Sequence, residues 1–75
     1  MELNEKIEHL LKENFPDSVI QVETPDQVHF QAWIKSKSFK GLSRIDQQRK
    51  VYEVLGDLIS SGTVHALSLK TEIME

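Results

Sequence analysis

Val28-His29-Phe30-Gln31-Ala32-Trp33-Ile34-Lys35 reads as a β-strand, and the rest of the architecture hangs on it. Val28, Phe30, Ala32 and Ile34 alternate with His29, Gln31, Trp33 and Lys35, which gives the strand one apolar face and one mixed polar face. Just upstream, Val19 to Glu23 (VIQVE) is short and β-branched, and only Thr24-Pro25-Asp26-Gln27 separates the two segments. A turn of that composition predicts an antiparallel hairpin. A hairpin with one greasy face is not stable alone in water, so helices must cover it.

Helical periodicity flanks the hairpin on both sides. Leu3, Ile7, Leu10 and Leu11 recur among Glu5, Lys6, Glu8, Lys12 and Glu13, predicting an amphipathic helix from Leu3 to Asn14. Pro16 then disfavours helical backbone at Phe15 and ends it. Beyond the hairpin, Ser36 to Leu42 is a compact connector, and Ser43-Arg44-Ile45-Asp46 fits a capping box. The helix that follows should bury Ile45, Tyr52, Leu55, Leu58 and Ile59, with Val51 and Val54 flanking, and stop at Ser60-Ser61-Gly62-Thr63. Tyr52 therefore reads as a core residue. Gly56 inside this helix costs about 1 kcal/mol relative to alanine unless a neighbour needs the close approach. A last strand, Val64 to Thr71, completes the pattern, with Glu72 to Glu75 as a frayed end. The order helix, strand, strand, helix, strand describes a single α+β domain over residues 1–75, in two layers. Its sheet is three-stranded with helices on one face, and the long second helix permits a crossover that makes the sheet mixed.

The chain has 75 residues, 39% of them hydrophobic and 28% charged, with no cysteine. That is enough for one small core and too little to enclose a large substrate cavity as well. Without cysteine there is no disulfide framework, no thiolate nucleophile and no all-cysteine zinc or iron-sulfur site from this chain alone. No run approaches ~18 apolar residues, and the N-terminus alternates charge with leucine, so a cytoplasmic location is expected. The net charge of −3 is uneven: Lys35 to Lys50 carries Lys35, Lys37, Lys40, Arg44, Arg49 and Lys50 against Asp46 alone. A cationic segment on an acidic body suggests a local docking surface.

No phosphate-cradling glycine loop, no histidine pair at helical spacing and no serine or threonine with an evident base is present, so an enzyme is not expected. His9 belongs to the solvated side of the first helix. His29 starts the second strand on the face opposite Val28 and Phe30, where an imidazole can hydrogen-bond or bind metal. His65 opens the third strand directly after the Ser-Ser-Gly-Thr turn, an accessible mouth that suits a ligand or a structural hydrogen bond equally. Trp33 shares the outer strand face, as an anchor for a protein partner or for stacking on a base, or as a residue covered by the tail or a second copy. Phe39-Lys40-Gly41-Leu42 feeds a helix start carrying Arg44, a combination able to meet phosphate.

Taken together, His29-Phe30, Phe39-x-Gly41-x-Ser43-Arg44, Val51-Tyr52-x-x-Leu55 and Val64-His65-Ala66-Leu67-Ser68-Leu69-Lys70-Thr71 resemble the BolA-like proteins over essentially the whole chain. The resemblance implies a class II KH-like fold, with which the derived element order agrees. It also implies a monothiol glutaredoxin as partner and a [2Fe-2S] cluster held between the two with glutathione. His65 matches the histidine that family members give to the cluster; His29 is the nearest candidate for a second ligand, and Trp33 with His65 would face the partner. The family also includes a DNA-binding transcriptional regulator, which implies Lys37, Lys40, Gly41, Arg44, Arg49 and Lys50 as the alternative, nucleic-acid-binding set. Where many members have Arg-His-Arg in the long helix, this chain has Gln47-Gln48-Arg49, and its Thr24–Gln27 loop is short. Both features resemble the acid-stress-linked bacterial subgroup called IbaG or YrbA. The Gly-x-x-Gly clamp of nucleic-acid-binding KH domains is absent, since Gly41 has no glycine partner three residues on.

Overall fold

A computed structural model describes residues 2–75. Among the described residues the elements run α1 (Leu3–Asn14), β1 (Ser18–Glu23), β2 (His29–Ser36), a short 3-10 turn (Lys37–Phe39), α2 (Arg44–Ser60) and β3 (Ala66–Ile73). The sheet order is β1-β2-β3: β2 is central, antiparallel to β1 and parallel to β3. Both helices pack on one face, so the expected two-layer α+β arrangement with a mixed sheet is what forms.

The apolar alternation of β2 explains the core. Phe30, Ala32 and Ile34 point to the helices and are buried, joined by Val22 of β1, Ile7 and Leu11 of α1, and Val51, Leu55 and Leu58 of α2. Each of these side chains larger than alanine contributes about 1.5–3 kcal/mol by leaving water. Phe15, just past α1, and Phe39, in the connector, close one end of this core with their ring centroids 5.4 Å apart and tilted by 59°. Lys12 Nζ donates to the Ser18 carbonyl at 2.7 Å, tying α1 to the start of β1.

Five expectations need correction. Tyr52 and Ile45 are not core residues: they are 41% and 63% exposed, and the buried row of α2 is Gln47, Val51, Leu55 and Leu58. Two apolar rows lie side by side on this helix, and polar Gln47 disguises the inner one. Its Nε2 donates to the Leu42 carbonyl at 3.0 Å, which supplies part of the compensation a buried amide requires. The second correction is at Val28, 49% exposed and outside the sheet: it belongs to the turn, where its amide donates to Asp26 Oδ1 at 3.0 Å.

Third, β3 begins at Ala66 and not at Val64. The Val64 amide donates back to the Leu58 carbonyl at 3.0 Å and its side chain is buried, so Val64 closes the end of α2, and His65 lies in the lead-in before the strand. Fourth, Glu72 and Ile73 are not frayed: they pair with Lys35 and Ser36, and the Met74 amide donates to the Ser36 carbonyl at 3.1 Å. Fifth, the capping box of α2 is only half made, with the Ser43 hydroxyl accepting from the Asp46 amide at 3.2 Å while the Asp46 carboxylate lies 3.6 Å from Arg49.

Candidate functional site

The parallel pairing of β2 with β3 places His29 opposite Ala66, one residue beyond His65. Two histidines 36 positions apart in the chain thus line one shallow cleft at the same end of the sheet, together with Phe30, Gln31, Ala66, Leu67 and Ser68. Both are exposed.

His65 is set by the end of α2. Gly62 takes a positive φ of 78°, a conformation that glycine adopts without a Cβ penalty, and turns the chain out of the helix. A Cβ built on Gly62 would lie 3.5 Å from His65 Cε1, so the imidazole rests beside the glycine. Neither ring nitrogen of His65 hydrogen-bonds to any described residue, which leaves both available to an incoming group. The structural hydrogen bond left open for His65 by the sequence does not form among the described residues.

His29 is set by the β1–β2 turn. Thr24 Oγ1 donates to the His29 carbonyl at 2.7 Å and accepts from the Gln27 amide at 2.9 Å, while Gln27 takes a positive φ of 61°. Gln27 Nε2 reaches back to Glu2 and Asn4, both at 3.1 Å, fastening the turn to the start of α1. Asp26 is the hub: Oδ1 accepts from the amides of Val28 and His29 at 3.0 and 2.8 Å, and Oδ2 lies 2.8 Å from His29 Nδ1. These bonds, the His29 amide first, then its imidazole, then the Val28 amide, hold the Asp26 carboxyl down at about 2 from an ordinary 3.8. Asp26 was legible only as a turn residue; the Asp-x-x-His spacing was the signal that its carboxylate serves the histidine.

Trp33 lies on the sheet face without helices, half-buried instead of fully exposed, in a hollow it shares with Gln21, Glu23, Gln31, Ser68 and Lys70. Trp33 pairs with Lys70, and Gln31 and Ser68 line both this hollow and the histidine cleft, so the two adjoin. His9 pairs with Glu13 at 2.9 Å on the solvated side of α1.

The basic residues divide. Lys37, Lys40, Gly41 and Arg44 are exposed around the connector and the first turn of α2, with Gly41 at a φ of 83°. Arg44, Arg49 and Lys50 do not share a helix face: at about 100° per residue they lie at least roughly 100° apart around α2. Arg49 is engaged with Asp46.

This architecture, a mixed three-stranded sheet under two helices, recurs in known proteins. The model of the family described as BolA-like protein matches residues 9–75. RP812 of Rickettsia prowazekii is 36% identical over 69 residues, covering 89% of this chain and 88% of its own. Its solution structure, that of a BolA-like protein, matches with a TM-score of 0.70 over 95% of this chain and 94% of its own. A BolA homologue from Coxiella burnetii shares 31% identity and a TM-score of 0.79 over 97% of this chain and 92% of its own. The BolA domain of SufE1 from Arabidopsis thaliana reaches a TM-score of 0.83 at 27% identity, covering 93% and 90% of the two chains. The chain belongs to the BolA-like family.

Proposed function

We propose that this BolA-like chain is a non-enzymatic adaptor that docks a monothiol glutaredoxin and contributes imidazole nitrogen to a [2Fe-2S] cluster shared between them. The observation that carries the reading is the convergence of His29 and His65 on one exposed cleft, with the His65 ring free of hydrogen bonds to the described residues. The donor set fits half a cluster. Neutral imidazole is an established ligand to one iron of a [2Fe-2S] centre, where replacing thiolate by histidine raises the potential. No group of three or more histidine, cysteine or acidic side chains able to hold a metal gathers among the described residues, so the remaining ligands would be thiolates of glutaredoxin and glutathione.

In this reading His65 is the principal ligand and His29 the second, and Trp33 extends the docking surface across the open sheet face. A cluster held this way would serve iron-sulfur trafficking or iron and stress signalling. The short turn and Gln47-Gln48-Arg49 support reading the chain as a member of the IbaG or YrbA subgroup. The test is co-expression with a monothiol glutaredoxin, anaerobic purification and visible circular dichroism of the wild type, His65→Ala and His29→Ala. A cluster spectrum that shifts or decays faster in His65→Ala supports the assignment. A complex whose spectrum is the same in wild type and His65→Ala would remove it.

A second reading, DNA binding in transcription regulation, is favoured by one observation: Lys37, Lys40 and Arg44 surround the amino end of α2 beside Gly41, and none of them forms a salt bridge with a described residue. It requires an affinity that falls with salt and is lost when Lys40 and Arg44 become glutamate. Arg49 and Lys50, which diverge around α2, should contribute less to one contact surface.

A further inference from the structure

We propose that Asp26 is a positioning residue for His29, fixing the imidazole as the Nδ1–H tautomer so that Nε2 is the nitrogen offered to a metal. The inference rests on the reading of His29 as a ligand, and it adds a residue that the sequence marked only as part of a turn. The geometry is specific. Oδ2 of Asp26 lies 2.8 Å from His29 Nδ1, and an ionised carboxylate can only accept, so the contact puts the proton on Nδ1. A neutral imidazole then has its one lone pair on Nε2. A carboxylate behind a ligating histidine is the usual arrangement at metal sites, where it orients the ring and raises its basicity.

Three features make this more than a chance surface contact. The other carboxylate oxygen is locked by the amides of Val28 and His29, so the whole Asp26 group is held against the histidine backbone as well as its ring. The turn carrying both residues is closed independently by Thr24 through the His29 carbonyl and the Gln27 amide, and by Gln27 through Glu2 and Asn4. The ring so held lines the same cleft as His65, whose nitrogens have no partner of this kind among the described residues. The two histidines are therefore unequal. His29 arrives with its tautomer set, whereas His65 is free to present either nitrogen.

Asp26→Asn tests the proposal because it is nearly isosteric and inverts the hydrogen bond. The amide oxygen can keep the two backbone bonds, which places the NH2 group against Nδ1. An amide NH2 donates, so Nδ1 becomes an acceptor and the proton moves to Nε2. Long-range 1H–15N correlation spectra of the 15N-labelled free chain, taken at about pH 9 where unperturbed histidine is neutral, report the tautomer directly. The wild type should show His29 predominantly as Nδ1–H, and Asp26→Asn predominantly as Nε2–H, with His65 unchanged. A wild-type His29 in the Nε2–H form, or a ratio that Asp26→Asn leaves alone, would overturn the proposal.

The glutaredoxin complex supplies the second readout. Loss of a positioning carboxylate commonly costs about 10–100-fold in metal affinity, so the cluster lifetime in Asp26→Asn should fall by about tenfold and approach that of His29→Ala. If His29→Ala shortens the lifetime and Asp26→Asn does not, the ligand assignment survives and the positioning role is wrong. If His29→Ala leaves the cluster unaltered, His29 is not a ligand and the positioning role falls with it.

Discussion

Replacing Phe39 by alanine should unfold this protein more readily than any change in the charged residues around it. Phe39 sits in the connector between Lys37 and Lys40, yet it is 0% exposed and stacks obliquely on Phe15 at 5.4 Å. A buried Phe→Ala change costs about 3–5 kcal/mol through lost transfer energy and the cavity left behind. Of this, the pairing with Phe15 accounts for about 0.5–1.5 kcal/mol. A chain of 75 residues has a total stability of about 4–11 kcal/mol, so the variant should lose at least about a quarter of it and, towards the lower end of that range, nearly all. Urea unfolding followed by far-ultraviolet circular dichroism gives the number, and the midpoint should fall with little change in slope. The pair Phe15→Ala and Phe39→Ala should be less damaging together than the sum of the two single changes. A loss below about 1 kcal/mol for Phe39→Ala would mean that the connector does not anchor the core.

Gly56→Ala should stabilise by up to about 1 kcal/mol, because a Cβ there meets nothing within 4 Å and the helix gains a better former; thermal melting would show it. Gly62→Ala should destabilise by about 1–2 kcal/mol on the same assay, since alanine is strained at a φ of 78°. Asp26 should contribute to acid sensitivity: its folded carboxyl is held at about 2 against an ordinary 3.8. A depressed carboxyl adds stability above its ordinary value and loses it as pH falls towards the folded one. Asp26→Asn should therefore flatten the stability profile between those two values relative to wild type, measured by urea midpoints across the range.

Much of the fold was legible because its signals are local. The alternation in β2 named Phe30, Ala32 and Ile34 as core, and all three are buried. The leucines of α1 and the proline after it bounded that helix at the residues observed. The failures came where two local signals competed. Along α2 both apolar rows satisfied helical spacing, and the inner one was hidden by Gln47, whose burial depends on the Leu42 carbonyl and hence on the connector's course. At β3, Val64 looked like a strand residue, but its amide and side chain are committed to the end of α2.

The candidate site was legible by residue and not by arrangement. His29 and His65 each stand out as titratable groups near strand starts. Their meeting in one cleft depends on the parallel register of β2 with β3, which no local pattern states. Asp26 was hidden for the opposite reason: aspartate is so ordinary in a turn that the Asp-x-x-His spacing, which brings its second oxygen to the His29 ring, did not stand out. The basic residues looked like one segment because they are close in sequence, while helical geometry spreads Arg44, Arg49 and Lys50 around α2.

The most direct test of the central claim is pulsed electron paramagnetic resonance on the reduced [2Fe-2S] complex of this chain with a monothiol glutaredoxin, with only this chain's histidines 15N-labelled. Iron ligation by His65 predicts a strong 15N hyperfine coupling that is lost in His65→Ala, leaving only the coupling that His29 supplies. A cluster showing no histidine nitrogen coupling, or one that keeps the same coupling in His65→Ala, would contradict it.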